Sequence, residues 1–364
     1  MAKRAVRKVE AHAHVLTPAM FGAAGAYGPE KLEHADGTHS FRSGKYQTAP
    51  FRSSGEGSGS RDPHFRRAQM DKLGIDVMGV TISPLFYCYG AGNAEGVRYA
   101  KACNDIMEEY CEAEPGRFFF IPTLPMQDIR ASMQEFERVR TLKWARGVNL
   151  STDNIAGREL YDEELFPIFE ICEAADVPLF LHPAAIGTDD PNWDPARNKK
   201  DIFNFGWIAG YIYRESLAYG NLVLGGVLDR FPHLKICLTH GGGFVPYQIG
   251  RFGEAAVRMP ASKAKKPIRE YDKNFYFENS VHDEKARNFL LDMWGIDNVY
   301  TGSNFDGWDA NDGFTFAQTM ARNEEELHKL WAGTSMRLFN LGDEFGVEEE
   351  PGASAKPERA IPTE

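Results

Sequence analysis

Apolar and polar positions along this 364-residue chain fall into a repeating alternation. Eight short runs rich in β-branched and aromatic residues recur, at 8 to 16, 77 to 84, 117 to 125, 145 to 151, 178 to 183, 234 to 241, 275 to 281 and 298 to 305. Most are separated by stretches such as VRYAKACNDIMEEYCEA, DIRASMQEFERVRTLK and EELFPIFEICEAA, where apolar residues return every three or four positions. The first pattern predicts buried strands and the second amphipathic helices. GNLVLGGVLDRFP predicts another helix, ending at Pro232. Eight such alternations predict an α/β chain folded as a parallel (β/α)8 TIM barrel.

Two stretches break the rhythm. Residues 17 to 65, rich in Gly, Ser, His and Arg, follow the first strand, and residues 184 to 205 follow the fifth. Both are expected as long loops inserted at the barrel mouth, where substrate contacts and lids concentrate. The barrel is expected to occupy 1–346 as one domain. The Pro-rich, charged segment VEEEPGASAKPERAIPTE at 347–364 is expected as a flexible tail or an arm around a partner.

Charge narrows the partners. With 41 Lys and Arg against 52 Asp and Glu, the formal charge of -11 argues against a nucleic-acid or anionic-membrane surface. An anionic substrate would have to be held by individual arginines against that field. The basic start MAKRAVRK runs into a strand rather than a signal core, and no run of about 18 apolar residues follows, so a cytoplasmic protein is expected. Its five cysteines, Cys88, Cys103, Cys111, Cys172 and Cys237, show no CxxC spacing and are expected as reduced thiols. Cys103, Cys111 and Cys172 fall on predicted helices as packing residues.

The chemistry gathers at strand ends. His12 and His14 in VEAHAHVL, His182 in VPLFLHP and His240 in LKICLTHGGG all close predicted strands. Residues two apart on a strand point to one face, so His12 and His14 form a two-nitrogen clip directed into the barrel. Four imidazoles at the C-terminal mouth predict one divalent metal ion, zinc first, with iron, manganese and cobalt as the other candidates. His34, His39, His64, His233, His282 and His328 lack that placement, with His282 and His64 the ones closest to a role. At another strand end, NVYTGSNF carries Asn304 where such a site calls for a carboxylate.

In order along residues 8 to 340 stand HAH, RDPHFRRAQMDKLGIDVMGVTISP, CNDIMEEY, GRFFFIPTLPMQD, ARGVNLST, DVPLFLHP, LKICLTHGGGFVPYQIGR, NFYFENSVHD and NVYTGSNF. With these the chain resembles the amidohydrolase superfamily, and within it the aminocarboxymuconate-semialdehyde decarboxylase group. The resemblance implies that His12, His14 and His182 are metal ligands and that His240 is a base and proton shuttle. It matches Arg52 in APFRSS and Arg251 in VPYQIGR to arginines that hold substrate carboxylates, the second across a dimer interface. Phe86, Tyr87 and Tyr89 in SPLFYCYG are read as an aromatic wall for the substrate.

Departures from the family pattern fall at the site itself. Asn304 stands for the ligating Asp, Ala184 for a Trp after LHP, and WDAND is unlike the usual segment, with Asp306 a substitute ligand two residues on. Asn in place of Asp removes an anionic ligand and an acid/base group, an effect of about 10²- to 10⁴-fold in rate. Three origins are open: an engineered variant, a natural enzyme with altered metal chemistry, or a weakened subunit relying on its partner in a hetero-oligomer.

The activity expected first is non-oxidative decarboxylation of a carboxylated unsaturated or aromatic small molecule, in a homodimer or higher oligomer. The alternative is a hydrolase or hydratase acting on an amide, ester, C–C or C=C bond. A further alternative is a metal-binding subunit with oxygen-dependent chemistry, which iron or manganese in the protein would favour.

Overall fold

The computed structural model describes residues 8–48, 50, 62–184, 203, 205–305, 307 and 309–346. All eight predicted strands are present: β1 Val9–Val15, β5 Val77–Ile82, β6 Phe118–Phe120, β7 Val148–Leu150, β8 Leu179–Leu181, β9 Ile236–Leu238, β10 Phe275–Glu278 and β11 Val299–Tyr300. They pair in parallel as two sheets, β1-β5-β6 and β11-β10-β9-β8-β7. Parallel bridges join the sheets on both sides. Ala13 pairs with Phe305 on one side, and Phe120 with Ala145 and Thr123 with Asn149 on the other. The ring of strands is therefore closed, as the alternation predicts.

The strands are shorter than their apolar runs. Pro122 and Pro125 lack the N–H a ladder needs, so the run at 117 to 125 keeps only Phe118–Phe120 as strand. Strand residues are mostly apolar, because helices cover the outside of a parallel barrel, and the buried exceptions include Glu10, His12, Thr81, Asn149 and Glu278. Every residue of β5 is buried, and Phe118, Phe119 and Phe120 are fully so.

Helices follow as expected at Asn93–Glu112, Ile129–Val139 and Phe166–Ala174. One boundary differs: the helix read from Gly220 begins ten residues earlier, at Gly210–Leu224, and a short one resumes at Val227–Arg230. The break lies at Gly226, whose φ of 76° is open to glycine at no steric cost. The five cysteines are buried and none is joined in a disulfide. Among the described residues no helix is long and apolar enough to cross a membrane.

The insertion after β1 is more ordered than a loop. It forms a three-stranded antiparallel sheet of β2 Glu30–Glu33, β3 His39–Ser43 and β4 Tyr46–Gln47. Phe41 of β3 packs its ring against Phe86 after β5, with centroids 5.7 Å apart, which seats this sheet on the barrel. Most of the second insertion, and the tail from 347, lie outside the described residues.

Gly79 in β5 faces Phe119 in β6, and a Cβ there would meet the Phe119 ring at 2.4 Å. Phe119 is enclosed by Phe339 and Phe345 and has nowhere to move. Gly79→Ala is expected to destabilise the fold by about 1–3 kcal/mol through overpacking, measured by urea unfolding.

Candidate metal centre

β1 carries His12 and His14 to the mouth, β8 delivers His182, and β9 delivers His240. β1 has a bulge between Glu10 and Ala13, a device that re-aims side chains at barrel rims. One nitrogen each from His12, His14 and His182 lies within 4.8 Å of the others. The His240 ring centroid is 5.5 Å from that of His12 and 5.2 Å from that of His182.

Hydrogen bonds fix which nitrogen each ring offers. His12 Nδ1 donates to Glu278 Oε1 at 2.8 Å, and His182 Nδ1 donates to the Pro183 carbonyl at 2.8 Å. His14 Nδ1 meets Thr81 Oγ1 at 3.0 Å, while the Thr81 hydroxyl has carbonyl acceptors of its own in Ile82 and Ala13. Each Nε2 is left as a lone pair. His12 Nε2 and His14 Nε2 stand 3.2 Å apart, and buried His182 Nε2 has no hydrogen-bond partner among the described residues. Lone pairs so placed repel one another unless a cation lies among them, and the spacing suits nitrogens each about 2.0–2.1 Å from one ion. Burial first, and the neighbouring imidazoles second, push His14 and His182 well below the ordinary histidine range, which favours their neutral form.

His240 is electrostatically different. Burial lowers its pKa, but Glu215, whose Oε1 accepts from Nδ1 at 2.8 Å, and Glu278 outweigh this and hold it up at about 9. Its backbone has φ 46°, and Gly241, Gly242 and Gly243 continue with φ 68°, 70° and 65°. A Cβ at Gly242 would meet the Phe277 ring at 2.2 Å, and one at Gly243 the Ile212 carbonyl at 2.0 Å. The three glycines thus let a left-handed turn carry His240 into the cluster.

A cavity of about 470 Å³ opens beside His240, with Trp207, Tyr211, Ser280, His282 and Asp309 in its wall. Its size and mixed lining suit a small organic ligand.

Residues 9–341 match the Amidohydrolase family profile. The chain belongs to that family. It is 31% identical over 248 residues to the 2-amino-3-carboxymuconate-6-semialdehyde decarboxylase of Dictyostelium discoideum, a match covering 67% of this chain and 66% of that protein. The apo structure of the IDCase of Metarhizium anisopliae superposes with a TM-score of 0.79 at 18% identity, covering 94% of this chain and 100% of that one. A dihydroxybenzoic acid decarboxylase from Polaromonas sp. JS666, solved with bound manganese and the inhibitor 2-nitroresorcinol, gives a TM-score of 0.68 at 21% identity, covering 92% and 97%.

The remaining predicted residues are dispersed. Asn304 follows β11 and is 4% exposed. Arg251 is exposed on the helix Val245–Arg258. Arg52 and Asp306 lie outside the described residues. Phe86 and Tyr87 are buried rather than lining the cavity beside His240. Phe86 packs on Phe41, and the Tyr87 hydroxyl donates to Asn149 Oδ1 at 2.9 Å and lies 3.2 Å from the His182 carbonyl. Tyr87 therefore ties the chain after β5 to the strand end that carries His182, and the aromatic residues in the wall of the cavity beside His240 are Trp207 and Tyr211.

Sequence reasoning passed over three buried carboxyls. Glu278 accepts from His12 Nδ1 and, through Oε2, from the His240 backbone N–H at 2.7 Å. Glu215 orients His240, and Glu10 accepts from the backbone N–H groups of His12 and Ser303, both at 2.9 Å. A charged residue inside an apolar strand, as in VEAHAH and FYFENS, was the available signal for Glu10 and Glu278.

Glu278→Gln is expected to weaken metal binding by about 10- to 100-fold, because the replacement cannot fix the His12 tautomer with an anion. Gly302→Ala is expected to act in the same direction, since its Cβ would fall 2.1 Å from Glu278 Oε1. Metal content after dialysis against limiting zinc, with His14→Ala as the null control, measures both.

Proposed function

We propose that this protein is a metal-dependent, non-oxidative decarboxylase of a carboxylated unsaturated or aromatic small molecule. The observation that carries this reading is the convergence of three imidazole lone pairs next to His240, whose carboxylate partners give it a separate role. The activities named for the Dictyostelium and Polaromonas proteins support the substrate class.

His12, His14 and His182 would hold the ion, with Asn304 as an oxygen ligand. Neutral nitrogen and oxygen donors favour zinc, with manganese, iron and cobalt as alternatives. When bound, the ion would polarise substrate oxygens and act as the electron sink for the breaking bond. His240 lines the cavity with Nδ1 tied to Glu215, which leaves Nε2 to deliver a proton to the carbon bearing the carboxylate. The C–C bond then breaks, CO2 departs, and the bonding pair returns to the π system. No electron acceptor is required.

A carboxylate substrate in a protein of formal charge -11 needs local cations, and Arg52 and Arg251 would provide them. Arg251 stands on a helix whose Tyr247 and Val257 are 77% and 86% exposed, with Phe244 exposed at its start. Such apolar surface fits a homodimer in which Arg251 reaches the cavity of the second copy. The enzyme would work in the cytoplasm.

Purified protein loaded with zinc or manganese is expected to release CO2 from carboxylated muconate-like or hydroxybenzoate-like compounds, leaving the carbon skeleton otherwise intact. His240→Asn should lower kcat by about 10²- to 10⁴-fold at unchanged metal stoichiometry. Two organic fragments or a hydrated product would reject decarboxylation. For the dimer, sedimentation at micromolar concentration should give twice the chain mass, and Arg251→Ala should raise KM; a monomer with fully active Arg251→Ala would sink the shared site.

A further inference from the structure

Position 304 is where the resemblance asks for a ligating Asp, and the structure around it is built for the Asn that is there. Asn304 is 4% exposed and has φ 47°, a left-handed conformation that Asn adopts more readily than most residues with a side chain. It lies against the histidine strand, because Phe305 N–H donates to the His12 carbonyl at 3.0 Å and Phe305 pairs with Ala13. The chain then turns around the amide. Gly307 N–H donates to the Asn304 carbonyl at 2.7 Å, and a Cβ on Gly307 would lie 2.3 Å from Asn304 Oδ1.

Asp309 is the partner of that amide. Asn304 Nδ2 donates to Asp309 Oδ1, while Asp309 Oδ2 lies 3.8 Å from His282 Nε2. An ionised carboxylate only accepts, so Asn304 must present its NH2 to Asp309 and turn its oxygen away. That oxygen, Oδ1, is buried and has no hydrogen-bond partner among the described residues. Like His182 Nε2, it is a buried acceptor without a partner among the described residues.

We infer that Asn304 and Asp309 act as one unit, Asn304 Oδ1 ligating the ion and Asp309 supplying the negative charge that a ligating Asp would carry. This rests on the metal-dependent reading above. A hydrogen bond from the amide to a carboxylate draws electron density toward Oδ1 and strengthens it as a donor, as carboxylates behind ligating histidines do. The charge sits one hydrogen bond from the ligand atom, in the wall of the cavity that also holds His240 and His282. Asn304 is then no defect awaiting repair. A carboxylate at 304 would face Asp309 at hydrogen-bond distance, and two carboxylates so close cannot both ionise without cost.

Zinc titration calorimetry on chelator-stripped protein tests the pairing without recourse to turnover. Asp309→Asn should weaken binding by about 10- to 100-fold. Asn304→Asp alone should give no gain, and the swap Asn304→Asp with Asp309→Asn should return to within about threefold of the native affinity, a coupling that independent sites would not show. A hydrogen bond that is merely structural survives Asp309→Asn, so only the charge-supplying role predicts both the loss and its rescue. Melting temperatures confirm that each variant is folded. Native affinity in Asp309→Asn while His14→Ala abolishes binding would overturn the pairing and leave the metal reading intact, as would a tenfold gain in Asn304→Asp alone. No zinc binding by the native chain would overturn the metal reading, and the pairing with it.

Discussion

Glu278 is fully buried, yet it grips two strand ends at once, accepting a hydrogen bond from His12 Nδ1 on one oxygen and from the His240 backbone N–H on the other. Burial alone pushes its carboxyl up, but the His12 and His240 contacts outweigh this and hold it below the ordinary carboxylate range. A buried anion is tolerable only when paired and hydrogen-bonded in this way. Through it the His12 tautomer and the entry of His240 into the cluster become a single constraint. Glu10 has no imidazole partner, and burial raises it to about 8 despite its two backbone donors. Two buried carboxyls are thus pushed in opposite directions by what they touch.

The barrel was legible because a parallel sheet covered on both faces leaves long apolar runs, and helices between them leave a three-to-four periodicity. The four histidines were legible for a related reason, since they interrupt apolar runs at the ends where a barrel places its chemistry. The small sheet at Glu30–Gln47 was hidden by its polarity. Only Asp36–Gly37, with Gly37 at φ 77°, announced a hairpin turn. Glu215 lay on a stretch of helix between the loop expected at 184–205 and the helix expected from Gly220, so nothing marked it as the partner of His240.

Asn304 shows a different limit. Sequence alone compares it with the Asp of a family pattern and finds a loss. The structure adds Asp309, five residues on and turned back by Gly307, a relation no strand or helix period encodes. Tyr87 and Phe86 show another limit. Aromatic residues after a strand read alike whether they face a ligand or a neighbouring element, and here the β3 ring of Phe41 claims one and the interior carbonyls claim the other.

The strands are joined by extended ladders within two sheets but only by isolated bridges between them. His12 and His14 belong to the sheet of β1, β5 and β6, whereas His182 follows β8 in the other sheet. An ion shared by all three would act as a rivet across the seam where the backbone pairing is thinnest. Chemistry and closure of the barrel would then have the same fastening, and the rim would loosen wherever the ion is lost.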